Sequence, residues 1–469
     1  MRLGSSPSFG GSVSEGMEVA NSRAALQVAV LFVLLALGPS SGFSPRPNAP
    51  QCSSCSRLAL SAATRPLSPL VENMAVSKTI EIHSLTKEME RAGKVVYSLC
   101  VGEPDYQPPD AVLQATALAA QNGLTKYTAV NGEAALRSAI AADLKARKRT
   151  EYTAEQIVVS NGAKQSVLQA LLAVACPGDD VLVPSPYWPS YPDMVKMCSA
   201  RPVDVPTLAS EGYSLTAQSL RAALEMHPKT SAIILCNPSN PTGCVMTKAE
   251  LEKLAAVLRD FPRVTVIADE IYERLTYDVE HVSFASLPDM MERTVTINGF
   301  SKSHSMTGYR VGYAAAPLYI AKACGKLQSQ MTSCASSIGQ HAATVALDPK
   351  AVDQSWMDAR VGELREKRNL AHSLLQEIPH TKVGMPNGAF YIMPDVSYYY
   401  NTQTKDGRRV NDSHELCLEL LRCEQVALVS GDAFGAPDCI RLSYAASTEL
   451  ITQSIVRLKR FLLSLERKK

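Results

Sequence analysis

The chain has 469 residues, of which 46% are hydrophobic and 20% are charged, a balance typical of folded globular proteins. Lys and Arg number 47 against 45 Asp and Glu, so the net charge is +2 and the composition does not indicate a nucleic-acid partner. If residues 1–73 are removed as described next, about 400 residues remain, which exceeds a single core and predicts two closely connected lobes.

The N-terminal extension has the composition of a targeting sequence rather than of an enzyme. Leu26–Leu37 is an almost wholly apolar run, preceded by Arg23 and followed by small residues, which predicts a signal peptide over 1–42. Residues 43–71 carry three arginines and no acidic residue, which predicts a transit peptide that we assign to 43–73. A signal peptide followed by a transit segment that opens on Phe43 resembles the bipartite leaders of secondary plastids. That resemblance implies delivery to the plastid (chloroplast) stroma through the secretory system, with no membrane attachment after processing.

Short apolar runs alternate with helical stretches through the centre of the chain. This alternation predicts an α/β doubly wound sheet. The predicted strands are Gln156–Ser160, Asp180–Pro184, Ala232–Cys236, Val264–Asp269, Thr294–Asn298 and Val311–Ala315.

Three further elements are predicted on either side of this block. A helix is expected to begin near Pro109, and the charged stretch Val361–Arg368 is expected to belong to a long helix. The polar insert Ser397–Asn411, which contains three consecutive tyrosines, is predicted to be an exposed loop.

Two segments at predicted strand ends have features of ligand-binding loops. In Val158–Gln165 a strand runs through Gly162 into an apolar helix, and backbone N–H groups at such a helix start can hold phosphate. In Cys236–Gly243 two Asn-Pro pairs and a glycine force a tight turn, which leaves the Asn amides free to donate hydrogen bonds to a ligand.

Asp269 ends the continuous apolar run that begins at Thr265, as expected for a buried parallel strand that delivers a side chain to a site. Burial would drive an unpaired carboxylate toward its neutral form, so a charged Asp269 implies a cationic partner, and a protonated pyridine nitrogen is suitable. From the residues alone, an ordinary helix N-cap explains this aspartate equally well.

Lys302 lies in the segment Ser301–Arg310, just after the predicted strand that ends at Asn298. A lysine forms a Schiff base with an aldehyde only from its neutral amine, so its pKa must be lowered by burial or by a nearby positive charge such as Arg310. The same arginine could hold a phosphate. Taken alone, the segment is more simply explained as a surface loop, but the other three segments favour an imine-forming lysine.

In their order and spacing, these four segments resemble the fold-type-I pyridoxal-phosphate enzymes. The specific resemblance is to class I aminotransferases of the aspartate aminotransferase family, in its prokaryotic-type plastidial aspartate/prephenate branch. It runs from about Ser77 to about Leu463 and includes Val101–Asp105, Lys126–Thr128 and Ile440–Tyr444. It implies a mostly parallel central sheet with helices on both faces and a smaller α/β domain.

The resemblance also implies a domain division, a cofactor and partners. Residues 119–360 would form the large cofactor-binding domain, and 74–118 together with 361–469 would form the smaller domain and the entrance. The cofactor would be pyridoxal 5'-phosphate. Amino acids and 2-oxo acids would be the substrates of a ping-pong cycle, and a homodimer would share its active sites between subunits.

Roles for individual residues follow from the same resemblance. Lys302 resembles the Schiff-base lysine, and Asp269 resembles the partner of the pyridine nitrogen. Tyr272 and Asn240 resemble the pair that hydrogen-bonds the phenolic oxygen of the cofactor ring, and Trp188 resembles the aromatic side chain stacked on that ring. Trp188 and Asn240 would also border the substrate.

The phosphate grip and the substrate contacts complete this set. The residues that resemble the phosphate grip are Gly162, Ala163, Lys164, Arg310 and, reaching the cofactor of the neighbouring subunit, Tyr127. Gly102 would line the substrate side of the site. Arg441 resembles the arginine that binds the substrate α-carboxylate, for which a planar guanidinium is suited because it makes two parallel hydrogen bonds.

Two residues bear on substrate choice. Lys164 and Thr79 fall where the prephenate-using branch of the family recognises the distal carboxylate, and a cation with a hydroxyl donor suits a dicarboxylate. Each could instead be an ordinary surface residue, and Thr79 could be a helix N-cap. We predict L-aspartate + 2-oxoglutarate = oxaloacetate + L-glutamate, with conversion of prephenate to arogenate as a second activity.

Other classes of function remain open or are disfavoured. β-Elimination or another aminotransferase reaction on the same scaffold is open, because the core residues are shared. A non-enzymatic regulator is disfavoured because residues 1–73 have neither a helix-turn-helix pattern nor a basic patch. A dinucleotide-binding oxidoreductase is disfavoured because no G-x-G-x-x-G sequence follows a strand. No metal site is expected: His414, Cys417 and Cys423 are better explained as one helix with a buried cysteine face.

Overall fold

The structure is a computed structural model that describes residues 67–72 and 78–467. The predicted signal peptide, most of the predicted transit peptide and the side chain of Thr79 lie outside this description. From Leu67 onward the chain forms one compact unit. No helix in the described ranges is long and apolar enough to cross a membrane.

Helices and strands alternate along most of the described chain. The helices are α1 (Pro69–Glu72), α2 (Lys78–Arg91), α3 (Asp110–Gln121), α4 (Ala134–Lys148), α5 (Ala163–Val174), α6 (Ser190–Met197), α7 (Ala217–Met226), α8 (Lys248–Arg259), α9 (Leu318–Met331), α10 (Ser337–Ala346), α11 (Gln354–Gln376), α12 (Ser413–Glu424) and α13 (Thr448–Ser464). The strands are β1 (Tyr97–Ser98), β2 (Ile157–Ser160), β3 (Asp180–Ser185), β4 (Arg201–Pro206), β5 (Thr230–Cys236), β6 (Thr265–Asp269), β7 (Thr294–Gly299), β8 (Gly312–Ala315), β9 (Tyr391–Ile392), β10 (Thr402–Gln403), β11 (Arg409–Val410), β12 (Val426–Ala427), β13 (Val429–Ser430), β14 (Ile440–Ser443) and β15 (Glu466–Arg467).

Seven strands form the central sheet, in the order β2-β8-β7-β6-β5-β3-β4. The neighbouring pairs from β7 to β4 are parallel, whereas β8 is antiparallel to both β7 and β2. The α/β fold with a mostly parallel sheet is therefore confirmed. All six predicted strands are present, with ends within two residues of the prediction. The edge strand β4 was not predicted.

Apolar side chains pack on both faces of the sheet, because successive residues of a strand point to opposite sides. Along β6, Ile267 belongs to the core that includes α5, α6 and α9, and Val266 and Ala268 belong to the core that includes α7 and α8. Sheet strands buried on both faces read as continuous apolar runs, which is why β5 and β6 were visible in the sequence.

A separate hydrophobic cluster surrounds the C-terminal helices. It joins buried residues of α11, α12 and α13 to Leu99 near the start of the described chain and to Tyr272 just beyond β6. The long helix predicted around Val361–Arg368 is present as α11, and the helix predicted from Pro109 is present as α3.

The predicted exposed loop Ser397–Asn411 is wrong in part. A single 3-10 turn spans Ser397–Tyr399, and β10 pairs with both β11 and β15. Tyr399 and Val410 are buried, because their side chains belong to the hydrophobic cluster around the C-terminal helices. The charged residues between them hide this contribution in the sequence.

Candidate active site

The functional side chains meet at one edge of the sheet because of its topology. Strands β5, β6 and β7 are parallel neighbours, so their carboxyl ends lie side by side and the segments that follow them converge. β2 points the same way, since it and β7 are both antiparallel to β8. A cavity of about 610 Å³ opens at this edge. Its lining includes Gly102, Ala163, Lys164, Trp188, Asn240, Asp269, Tyr272, Lys302, Arg310 and Arg441.

Lys302 lies three residues beyond β7 and is half-buried in the cavity wall. Its Nζ donates a hydrogen bond to the carbonyl oxygen of Gly102. Burial lowers the pKa of Lys302 from 10.5 to about 8, and Arg441 and Arg310 lower it further against the opposing charge of Glu103. The amine is therefore closer to its neutral, nucleophilic form at physiological pH than an ordinary lysine.

Asp269 is the last residue of β6 and its carboxylate is buried beside the cavity. Oδ2 accepts a hydrogen bond from the Tyr191 hydroxyl at 2.6 Å, and Oδ1 accepts one from the backbone N–H of Ile271 at 3.3 Å. Burial raises the pKa of Asp269 from 3.8 to about 6, although both hydrogen bonds act in the opposite direction. A cation placed against this carboxylate would restore its charge.

The start of α5 and Arg310 form a cradle for an anion. Gly162 precedes the helix with φ 87° and ψ 155°, a conformation open mainly to glycine. A Cβ at Gly162 would lie 2.4 Å from Nη2 of Arg310, so only hydrogen leaves room for the guanidinium. The first N–H groups of α5 have no intrahelical acceptor, and together with Arg310 they suit a phosphate.

Arg441, on β14, is buried and held on several sides. Nη1 donates to Oδ1 of Asn240 at 3.0 Å, and Nη2 donates to the carbonyl oxygen of Cys100 at 2.8 Å. The guanidinium carbon lies 4.5 Å from the ring centroid of Tyr391 and 4.8 Å from that of Phe434. This cation borders the cavity and can bind a carboxylate.

One aromatic pair and one cation–π pair complete the walls of the cavity. The Tyr272 and Tyr391 hydroxyls are 2.9 Å apart and their rings meet edge to face. On the other side, Nζ of Lys164 lies 4.8 Å from the ring centroid of Trp188. Partial burial and the nearby charge of Arg310 lower the pKa of Lys164, as expected for a cation that has few compensating anions.

The structure thus brings ten of the predicted site residues to one cavity and packs Gly162 against Arg310 at its margin. Tyr127 is not among the lining residues of this chain, and its side chain is 90% exposed. Thr79 is in α2, but its side chain lies outside the description.

Two tyrosines of the site were not predicted. Tyr191 lies three residues after Trp188, a spacing that places both side chains on the same side of a turn and could have suggested a shared site. Tyr391 lies 119 residues from its partner Tyr272 and sits among apolar residues of β9, so no local signal marks it.

A lysine with a lowered pKa, a buried acid and an anion cradle around one cavity are the features expected of an enzyme that uses a phosphate-bearing carbonyl cofactor. The family model for aminotransferase class I and II matches residues 94–458. The chain therefore belongs to this aminotransferase family, and its cofactor is pyridoxal 5'-phosphate, as expected from the sequence.

Individual relatives agree with this assignment. A Petunia hybrida bifunctional aspartate aminotransferase and glutamate/aspartate-prephenate aminotransferase is 45% identical over 401 residues, which cover 85% of this chain and 83% of the relative. A Pinus pinaster aspartate aminotransferase is 44% identical over 401 residues, with 85% and 81% covered. The crystal structure of the Rhizobium meliloti aspartate aminotransferase has a TM-score of 0.82 at 36% identity and covers 86% of this chain and 100% of its own.

Proposed function

We propose that this enzyme transfers the amino group of L-aspartate to 2-oxoglutarate, giving oxaloacetate and L-glutamate, and that it also converts prephenate to arogenate. The observation that carries this proposal is the convergence of Lys302, Asp269, Arg310 and Arg441 on one cavity. The names of the Petunia and pine relatives support the choice of substrates.

The residues present fit pyridoxal phosphate. The cradle of Gly162, Ala163, Lys164 and Arg310 accepts a phosphate, and a side chain at Gly162 would fill it. Asp269 offers a buried carboxylate for the ring nitrogen, and Trp188 offers a ring for stacking. Tyr272 and Asn240 border the same cavity, where they can hydrogen-bond the phenolic oxygen. When bound, the cofactor supplies an aldehyde for Lys302 and an electron-withdrawing ring.

The chain's own residues then position the substrate and move its proton. Arg441 would bind the α-carboxylate through two parallel hydrogen bonds and fix the direction of the Cα–H bond. The Lys302 amine, with its lowered pKa, would take the proton from the substrate Cα onto Nζ and would then act as the acid that gives it up again. Lys164, at the open side of the cavity, would attract the distal carboxylate of aspartate, glutamate or prephenate.

The proposed assembly is a homodimer with shared sites. The 90% exposure of Tyr127 in the isolated chain leaves its hydroxyl available to a neighbouring subunit, where it would reach the cofactor phosphate. We also propose that 119–360 forms the large domain, and that 74–118 with 361–469 forms the small one. The hydrophobic cluster around α11, α12 and α13, which includes Leu99, supports this division.

The proposed address is the plastid stroma. The apolar run followed by an arginine-containing, acid-poor stretch supports a bipartite leader over 1–73. Fusion of residues 1–73 to a fluorescent protein should direct it to plastids of an alga or plant that has the matching import route. Export of the fusion, or its arrival in mitochondria, would contradict this proposal.

A substrate panel tests the proposed reaction. The mature enzyme is incubated with aspartate plus 2-oxoglutarate, and with glutamate plus prephenate, and the products are identified. Glutamate and oxaloacetate from the first pair support transfer, whereas ammonia and pyruvate would indicate lyase chemistry.

Two variants then test the assignments to the distal carboxylate. Lys164→Gln should raise the KM for aspartate about 10- to 100-fold because a charge-assisted hydrogen bond is lost. Thr79→Val should reduce the prephenate rate more than the aspartate rate. Lys248→Gln changes an exposed lysine outside the cavity lining and is the matched control. Equal losses on both substrates in Thr79→Val would refute its role in selection.

A further inference from the structure

Tyr391 connects the two halves of the proposed site. It is on β9 and is 1% exposed. It contacts Tyr272 on the proposed cofactor side and Arg441 on the proposed substrate side. Its hydroxyl also lies against Gly102, where a Cβ would be 2.4 Å from the oxygen. The side chain of Tyr391 therefore contacts three segments that are distant in sequence, those of Gly102, Tyr272 and Arg441.

The hydroxyl of Tyr391 can determine whether the Tyr272 hydroxyl presents a proton or a lone pair to the cavity. Each phenol has a single proton, and the two oxygens are 2.9 Å apart. If Tyr391 donates, the proton of Tyr272 remains available to the phenolic oxygen of the cofactor. Such a donor is also strengthened, because consecutive hydrogen bonds polarise one another. If Tyr272 donated to Tyr391 instead, the cofactor oxygen would face a lone pair.

The ring of Tyr391 acts on Arg441. The guanidinium carbon lies 4.5 Å from the ring centroid of Tyr391 and 4.8 Å from that of Phe434. Hydrogen bonds to Asn240 and to the Cys100 carbonyl hold two of its nitrogens. Contact with aromatic rings restricts the rotation of a guanidinium, and its orientation decides whether it can bind a carboxylate through two hydrogen bonds.

We propose that Tyr391 is a positioning residue with two separable functions: its hydroxyl orients and strengthens Tyr272 as a donor to the cofactor, and its ring orients Arg441 for the substrate carboxylate. This inference rests on the proposed function of the site. It assigns Tyr391 no contact with the reacting atoms.

Two substitutions separate the functions. Tyr391→Phe removes only the oxygen, whereas Tyr391→Met removes the ring and keeps much of the volume. Tyr399→Phe is the matched control, because Tyr399 is a buried tyrosine of the same hydrophobic cluster, its hydroxyl donates to the Pro379 carbonyl, and it does not line the cavity. The holoenzymes are compared by the pH midpoint of the visible cofactor absorption and by the Kd of maleate, an unreactive dicarboxylate.

Tyr391→Phe should raise the pH midpoint of the cofactor absorption by about half a pH unit. Without the Tyr391 hydroxyl, Tyr272 is a weaker hydrogen-bond donor and leaves more negative charge on the phenolic oxygen of the cofactor. That charge holds the neighbouring proton more tightly. Its Kd for maleate should stay within about twofold of the wild type. Tyr391→Met should show the same spectral change and also weaken maleate about fivefold, the loss expected for one cation–π contact. Tyr399→Phe should change neither value.

Other outcomes separate this inference from the proposed function. A midpoint in Tyr391→Phe equal to that in Tyr399→Phe overturns the hydroxyl function, and unchanged maleate affinity in Tyr391→Met overturns the ring function. If Tyr391→Met does not fold, the spectral result for Tyr391→Phe still decides the first function, and maleate binding by Tyr391→Leu, which also lacks a ring, decides the second. A reconstituted wild type without a visible band would overturn the proposed function itself, and this inference with it.

Discussion

The phosphate cradle gives the sharpest test of the site, through the single substitution Gly162→Ala. The added Cβ would lie 2.4 Å from Nη2 and 2.8 Å from Cζ of Arg310, about 1 Å closer than unbonded atoms normally approach. The guanidinium must therefore move away from the start of α5. Alanine would also have to adopt φ 87°, which costs about 1–3 kcal/mol for a residue with a side chain.

Loss of one charge-assisted hydrogen bond to the phosphate corresponds to about 1.5–3 kcal/mol, or a 10- to 100-fold rise in the Kd of pyridoxal phosphate. The assay is titration of the apo-protein with the cofactor, followed by absorbance. A parallel titration with pyridoxal, which has no phosphate, should show little difference between the variant and the wild type.

Gly178→Ala is the matched control. Gly178 also has a positive φ, 85°, but a Cβ there would meet nothing within 4 Å. Both variants should lose thermal stability through backbone strain, and only Gly162→Ala should lose affinity for the phosphate-bearing cofactor. Equal cofactor affinity in the two variants, or an equal loss for pyridoxal, would refute the assignment of the cradle.

Four further predictions concern charge in the cavity. Asp269→Asn should lower kcat about 100- to 1000-fold with a much smaller change in KM, because the charge acts mainly in the transition state; a larger effect on KM would contradict this. Arg441→Lys keeps a positive charge but loses the two-point contact, so the Kd of maleate should rise about 10-fold or more, and unchanged binding would place the carboxylate elsewhere. In the apo-protein, acylation of Lys302 should increase with a midpoint near pH 8, and a midpoint near pH 10 would contradict the effect of burial. Since its pKa is lowered in the folded state, Lys302 should also make the apo-protein more stable as pH rises from about 8 to about 10.

The sequence was sufficient to predict the residues that follow the strand ends. Asn240, Asp269 and Lys302 each come shortly after an apolar run, and parallel pairing of β5, β6 and β7 brings such positions together without further information. The roles of these residues and the identity of the cofactor came from the resemblance to fold-type-I pyridoxal-phosphate enzymes, because each residue taken alone also had an ordinary structural explanation. Local sequence and sheet topology thus account for where these residues lie, and the resemblance accounts for what they are expected to do.

Edge strand β4 was not predicted because its sequence has no continuous apolar run. Its residues Arg201–Pro206 alternate between exposed and buried positions and include two prolines, which a strand tolerates at an edge where few ladder hydrogen bonds are lost. The hairpin after Tyr399 was missed for a related reason, since its buried residues are separated by charged ones. A continuous apolar run identifies a strand that is covered on both faces. A strand that is covered on one face lacks this run and is recognised only from the structure.

The partners of the predicted residues follow a different rule. Asp269 is buried, so its carboxylate requires a hydrogen-bond donor, and the Tyr191 hydroxyl provides one from α6. Tyr272 has the same requirement and finds Tyr391 in β9. That such partners exist can be deduced from burial alone, but which residues they are depends on packing between elements distant in the chain. That Asp269 pairs with Tyr191, and Tyr272 with Tyr391, is therefore known from the structure and not from the sequence.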